Sequence, residues 1–190
     1  MSIRGVIFDF DCTIASIRPW DAFLHPHTAL LSTKMKQICD RYRGFRSLTL
    51  HECIVREFSK HFSFIQYQKD FEKLYQPENI LSNCFSLIRL CDTHNIPRGI
   101  ISDHRALEKL VSIGLTSGWS AVINSQEYGA LKPLPDSILS IAAQLDIPSC
   151  SLLVVGDRWE TDGLLAHSVG ATFLHVQDIK QNLQHICFGQ

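Results

Sequence analysis

The chain has 190 residues, which suits one domain, or one domain with a modest insert, and is enough to bury a core without staples. Its 45% hydrophobic and 19% charged residues are ordinary globular composition. A formal net charge of −1 gives no electrostatic footprint for nucleic acid or for an anionic membrane surface, so neither is expected as a partner.

The seven cysteines (Cys12, Cys39, Cys53, Cys84, Cys91, Cys150, Cys187) are odd in number and contain no C-x-x-C pair. That pattern is poor for a disulfide framework or a zinc site and suits a reducing compartment. Met1-Ser-Ile-Arg4 runs straight into a strand, Asp9 interrupts any signal-type apolar region, and no stretch reaches the length of a membrane span. A soluble, cytoplasmic protein is expected; the oligomeric state stays open.

In chain order, Gly5-Val-Ile-Phe-Asp-Phe-Asp-Cys-Thr-Ile-Ala15 comes first. The run Val6-Ile7-Phe8 reads as a strand buried on both faces, the habit of a parallel sheet. It stops at Asp9 and Asp11, two acids that are costly together unless a cation or a proton is shared. Taken alone, Asp-x-Asp-x-Thr fits a polar capping turn as well as it fits a reacting centre.

From about 17 to 80 the texture becomes helical. Ala29–Arg41 is one expected helix. Ser47-Leu-Thr opens a second, with Ser47 or Thr49 as N-cap and Glu52 as capping partner. Gln66–Tyr75 is a third, and Pro77-Glu-Asn marks the boundary. A helix over about 78–94 then leads to Asn95-Ile-Pro97.

Beyond it, strands are expected at Arg98–Asp103, Trp119–Asn124, Ser151–Asp157 and Ala171–Val176. Helices at Ala106–Ile113, Asp136–Leu145 and Glu160–Val169 alternate with them, and Gly114 and Gly170 close two of these. The pattern predicts an α/β protein. Its core is a Rossmann-like parallel sheet (1–16 and 81–190), with a small helical cap (17–80) inserted after the first strand.

Ligands of an open parallel sheet bind beyond the carboxyl ends of its strands. Those ends carry Asp9, Asp11 and Thr13, then Ser102 and Asp103, then Asp157 with Asp162 beyond; Lys132 precedes a helix. Carboxylates with a lysine and a hydroxyl are what a phosphoryl-transfer site with Mg²⁺ requires.

These residues, in this order, resemble the motifs of the haloacid dehalogenase-like hydrolase superfamily. Asp9-Phe-Asp11-Cys-Thr13 is similar to its first motif and Ser102, ending Gly99-Ile-Ile-Ser, to its second. Lys132 in Ser125-Gln-Glu-Tyr-Gly-Ala-Leu-Lys-Pro133 is similar to the third, and Gly156-Asp157-Arg-Trp-Glu-Thr-Asp162 to the fourth.

The resemblance implies a phosphatase of a small phosphorylated metabolite. Asp9 would be the nucleophile that forms an aspartyl-phosphate, and Asp11 the general acid and base. Mg²⁺ would sit on Asp9, the Asp11 backbone carbonyl and Asp157, with Asp162 holding that shell or joining it. Ser102, Asp103 and Lys132 fall at the phosphate-binding face, and Thr13 orders the turn. Halide departure needs no proton and the family's dehalogenases lack the second acid, so Asp11 favours phosphate chemistry. A phosphomutase of the same fold and a non-catalytic binding protein are the alternatives.

Two positions depart from the family pattern. Cys12 stands where glycine is usual, which restricts the turn unless a small side chain is tolerated there. Asp103 stands where asparagine is common. A carboxylate beside phosphate repels it, so Asp103 is expected to turn away and cap the following helix, with His104 compensating. In the cap, Arg18, Trp20, Arg41, Arg43 and Arg46 are candidates for reading the leaving group; a solvated face is the plain alternative for each arginine. His25 and His27 read as ligands or as a surface pair.

Overall fold

Val6, Ile7 and Phe8 turn alternately to opposite sides of one strand, and each side finds an apolar layer to enter. In the computed structural model, which describes residues 2–186 and 188, strand β1 (Gly5–Phe8) is buried along its length. Met1 and Cys187, named above, lie outside the described residues. Strands β2 (Arg98–Ser102), β3 (Ala121–Asn124), β4 (Leu152–Gly156) and β5 (Thr172–His175) complete a sheet of order β3-β2-β1-β4-β5. Every pairing is parallel, with Ile7 opposite Gly99 on one side and Val154 on the other. The chain steps outward from β1 to β3 and then crosses to β4, so the crevice of the sheet opens at the C-terminal ends of β1 and β4.

Between β1 and β2 lie α1 (Pro19–Leu24), α2 (Pro26–Tyr42), α3 (Leu50–Ser59), α4 (Phe64–Glu72) and α5 (Ser82–Thr93). Helices α6 (Ala106–Ile113), α7 (Ser125–Tyr128), α8 (Asp136–Leu145), α9 (Leu164–Ser168) and α10 (Ile179–Asn182) follow. Val6, Phe8, Ile100, Leu153 and Val155 face α5, α6 and α10. Ile7, Ile101, Ile123, Leu152 and Val154 face α8 and α9. A third cluster joins Leu31, Met35 and Ile38 of α2 to Leu50, Ile54 and Phe58 of α3 and Tyr67 of α4. Leu131, from the loop before α8, closes it. Among the described residues no helix is long and apolar enough to cross a membrane.

The structure corrects several local expectations. Pro26 starts α2 ahead of Ala29, since proline suits the first helical position. The capping box with Glu52 does not form: Thr49 precedes α3 without a side-chain cap, and its N–H instead donates to Ser47 Oγ at 3.2 Å. Helix α4 opens earlier than Gln66, because Ser63 Oγ accepts the Gln66 N–H at 3.3 Å. Pro77–Asn79 forms its own 3₁₀ turn, and α5 begins only at Ser82. The segment Trp159–Gly163 is a π turn rather than the first turn of α9. Helix α1, which was not expected, has no buried residue.

Candidate active site

The Asp9 N–H continues the ladder past β1 by donating to the Val155 carbonyl at 2.9 Å. The chain then folds back, with the Phe10 carbonyl accepting from Ile14 N at 3.0 Å and Cys12 N donating to the Ala15 carbonyl at 2.8 Å. Cys12 takes φ 63°, a left-handed conformation that costs an L-residue roughly 1–2 kcal/mol. The turn that glycine would make without strain is therefore made with a thiol exposed at its tip.

Asp9 is buried, and each of its oxygens has a donor. Lys132 Nζ lies 2.5 Å from Oδ1, and the Thr13 hydroxyl donates to Oδ2 at 3.2 Å. Lys132, itself buried, also reaches Asp162 Oδ1 at 2.6 Å, and the Arg158 N–H donates to Asp162 Oδ2 at 3.3 Å. Gly156 makes this packing possible, because a Cβ there would collide with the Asp162 side chain. Burial pushes the Asp9 carboxyl up to about 7; Lys132 opposes the rise, and Asp162 and Asp11 add to it. The carboxylates around Lys132 hold its ammonium charged despite burial, above its ordinary range. Burial and Asp162 likewise raise Asp157.

Asp9, Asp157 and Asp162 each offer one carboxylate oxygen, and these atoms lie within 4.8 Å of one another. An all-oxygen anionic set suits a hard divalent cation, and the raised Asp9 and Asp157 are what such a charge would relieve. The Asp11 carboxylate stands apart from this set. It accepts from Lys109 Nζ at 2.7 and 2.8 Å, and Oδ1 also accepts from the Tyr75 hydroxyl. Burial opposes its ionisation, but Lys109, His104 and the Tyr75 hydroxyl outweigh that and bring Asp11 down to about 2.

Ser102 is fully buried at the end of β2, where its Oγ accepts from His104 N at 3.2 Å. Asp103 does not cap α6, which corrects the expectation from the sequence: Arg105 occupies that cap position and no side chain caps the helix. Asp103 Oδ1 instead accepts from Lys132 N at 3.3 Å, and Oδ2 from Arg43 at 2.8 Å. The same Arg43 nitrogen donates to the Lys132 carbonyl at 2.6 Å. The carboxylate is thus neutralised by an arginine that follows α2, and Lys132 with Arg43 holds it below its ordinary range against burial. Close approach at Gly129, where φ is +90° and Ser47 O lies 2.5 Å from a would-be Cβ, joins the same two segments again.

A cleft of about 290 Å³ opens over these groups. Asp9, Asp11, Cys12, Asp103, Lys132 and Asp157 form its floor, while Ser32, Lys36 and Cys39 of α2 face it with Arg43, Phe71 and Tyr75. Of the residues proposed from the sequence to read a substrate, only Arg43 lines it. Arg18 pairs with Asp21 at 2.7 Å, Arg41 with Glu57, and Arg46 with Asp136 at 2.9 Å, all with largely exposed side chains. Trp20 stacks on Phe23 at 5.6 Å and is exposed. His25 and His27 are exposed and fall outside the cleft lining. Sequence reasoning missed Lys109, Tyr75, Ser32 and Lys36. The signal for Lys109 was its place on the apolar stripe of α6 with Ala106 and Ile113.

A family model described as "Haloacid dehalogenase-like hydrolase" matches residues 6–176. A haloacid dehalogenase-like hydrolase domain-containing protein 3 from Danio rerio is 28% identical over 98 residues, 50% of this chain and 40% of that protein. The chain thus spans well under two thirds of that relative's length. A HAD phosphatase from Thermococcus onnurineus superposes with a TM-score of 0.67 at 19% identity, covering 95% of this chain and 98% of the other. An L-2-haloacid dehalogenase gives 0.67 at 16% identity, covering 98% and 99%. At these identities the structures show a shared fold.

Proposed function

The chain belongs to the haloacid dehalogenase-like hydrolases, and from that premise we propose that it is a Mg²⁺-dependent phosphatase of a small phosphate monoester. The observation that carries this reading is Lys132 Nζ shared between Asp9 at 2.5 Å and Asp162 at 2.6 Å, on a cleft that also holds Asp11. Asp9 is the nucleophile: its carboxylate oxygen bonds to phosphorus as the bond to the leaving alcohol breaks, and Asp11 gives that alcohol its proton. In the second step Asp11 takes a proton from water, the water oxygen attacks phosphorus, and Asp9 and free phosphate are released.

With Lys109 against both its oxygens, Asp11 stands in its base form, the one the second step uses. The negative charge of an arriving phosphate opposes that form and favours the acid needed for the first step. Asp9, Asp157 and Asp162, with the Asp11 backbone carbonyl, would hold Mg²⁺, which when bound polarises phosphoryl oxygens and offsets their charge. Lys132 on the cleft floor is the donor to the phosphoryl oxygens, and Thr13 fixes the turn around Asp9. Ser102, fully buried and not among the residues that line the cleft, is the second donor only where phosphate reaches the end of β2. The second acid separates this reading from dehalogenation, because a departing halide needs no proton.

The inserted segment 17–80 acts as a cap on this reading, with α2 and Arg43 presenting the side chains that meet the leaving group. A cleft of about 290 Å³ suits a small metabolite. Free phosphate released from a panel of phosphorylated metabolites with Mg²⁺ is the test. Isomer formation without phosphate release would make the protein a phosphomutase instead, and silence across the panel would reject the reading.

A further inference from the structure

Lys109 stands on α6 among Ala106, Leu110 and Ile113, and its side chain is 0% exposed. A cation so placed is costly unless it is paired and hydrogen-bonded. Its ammonium lies 4.4, 5.3 and 5.9 Å from the ring centroids of Phe10, Tyr75 and Phe71, which surround it with π faces. Among the described residues its acidic partner is Asp11, bonded through both oxygens at 2.7 and 2.8 Å. The Asp11 side chain is 28% exposed and lines the cleft, so the lysine stands behind the carboxylate and the substrate space in front.

We propose that Lys109 is a positioning residue for Asp11, with Tyr75 completing the hold. Oδ1 is taken by both Lys109 and Tyr75, whereas Oδ2 meets only Lys109. The pair therefore fixes the rotation of the carboxylate and leaves Oδ2 as the oxygen presented to the ester. The rings confine the ammonium, so it cannot follow Asp11 toward the cleft. A lysine needed for packing alone would be replaceable by an apolar side chain of similar volume. Here the charge meets the acid of the first motif through both of its oxygens. The inference rests on Asp11 as the proton-transfer group.

A double-mutant cycle tests it. Lys109→Met keeps an unbranched apolar chain among the rings and removes the donor. For an alkyl phosphate, kcat should fall about 10- to 100-fold, within the range of general acid–base help, with a smaller fall for an aryl phosphate that leaves unaided. KM should change by less than about threefold, as expected when an interaction of the transition state is lost. In the Asp11→Asn background the same substitution should add nothing; an equal loss in both backgrounds would overturn the proposal.

Tyr75→Phe keeps the ring that lies edge-on to Phe10 at 5.4 Å and removes only the hydroxyl. It should give a weaker loss with the same leaving-group pattern, and equal losses for both esters would count against the proposal even if Lys109→Met failed to fold. Crystal structures of the wild type and of whichever variant folds need no activity. A displaced Asp11 carboxylate on an unchanged backbone supports the positioning role, and an unmoved one rejects it. Should the wild type hydrolyse no ester, the phosphatase reading fails and these structures alone decide the inference.

Discussion

The core and the inserted helices face the same cleft with different commitments. On the core side Asp9, Asp11, Lys132 and Asp162 are bonded to one another or to buried partners before any substrate arrives. On the inserted side Lys36 is exposed and, among the described residues, has no ion pair, while Ser32 donates to the Thr28 carbonyl of its own helix at 2.9 Å. Of the inserted residues that line the cleft, Arg43 and Tyr75 bridge to the core, Arg43 tied to Asp103 at 2.8 Å and Tyr75 to Asp11. A preorganised network treats every phosphoryl group alike, whereas uncommitted side chains can distinguish what is attached to it. On the proposed reading, core substitutions should therefore depress all substrates together, and insert substitutions should change their ranking.

The largest effect tests the core directly. Asp9→Asn should lower turnover by at least about 10⁴-fold on every substrate, as loss of a nucleophile does. Mass spectrometry of acid-quenched wild type should show a phosphorylated chain that the variant lacks; a surviving adduct would remove Asp9 from its role. Chelator should abolish turnover and Mg²⁺ restore it, with Ca²⁺ a poor substitute because its coordination is looser. Independently of activity, Mg²⁺ at about 100 times its Kd should stabilise the fold by roughly 2.7 kcal/mol. Asp157→Asn should lose much of that gain, and an identical thermal shift in the variant would displace the metal from this cluster.

Next in size is the separation of the two leading aspartates. Asp11→Asn should cost roughly 10²–10⁴-fold on alkyl phosphates and clearly less on aryl ones. Losses of equal size would leave Asp11 without its acid role.

The strand ends were legible because residue type and position say most of what matters there. An apolar run such as Val6-Ile7-Phe8 must be buried, and the polar residues that end it must sit at the carboxyl end of the sheet. The partners of Asp11 were not legible, because Lys109 lies 98 residues away and Tyr75 lies 64 away. No spacing rule spans such distances; the packing of α6 against the sheet and against the inserted segment brings them together. Asp103 was misread for the same reason, since its arginine comes from 60 residues upstream. Of the four arginines singled out in the inserted segment, three fall outside the cleft lining. Arg18, Arg41 and Arg46 each pair with an acid near the surface, and such a pair contributes little to anything beyond itself.

Arg43 and Arg41 sharpen the comparison within one segment. Arg43→Ala should redistribute kcat/KM among metabolites and, by removing a partner of the buried Asp103, lower stability by about 1–3 kcal/mol. Arg41→Ala, which among the described residues removes an ion pair with Glu57 away from the cleft, should do neither. Matching behaviour of the two would mean that the bridge to Asp103 carries no selectivity.

The smallest effect concerns that bridge and acid. Asp103 is held below its ordinary range by Lys132 and Arg43, against burial, with His104 a further positive neighbour when protonated. A carboxyl whose folded value is depressed binds fewer protons folded than unfolded across the interval between the two values. Its stabilisation is therefore complete above the unfolded value of 3.8 and is lost as pH falls through the lower folded one. His104 is itself pushed below 6.5 by burial, so its charge grows as pH falls and sustains the pairing until Asp103 protonates. Asp103→Asn keeps the shape and removes the titration. The stability difference between wild type and this variant, measured in chelator from pH 7 downward, should hold or grow to about pH 4 as His104 gains charge and then shrink, as expected if the contribution is electrostatic. A difference that stays constant to the acid limit would show that Asp103 contributes through shape and hydrogen bonding alone, and that the tie between insert and core does not depend on charge.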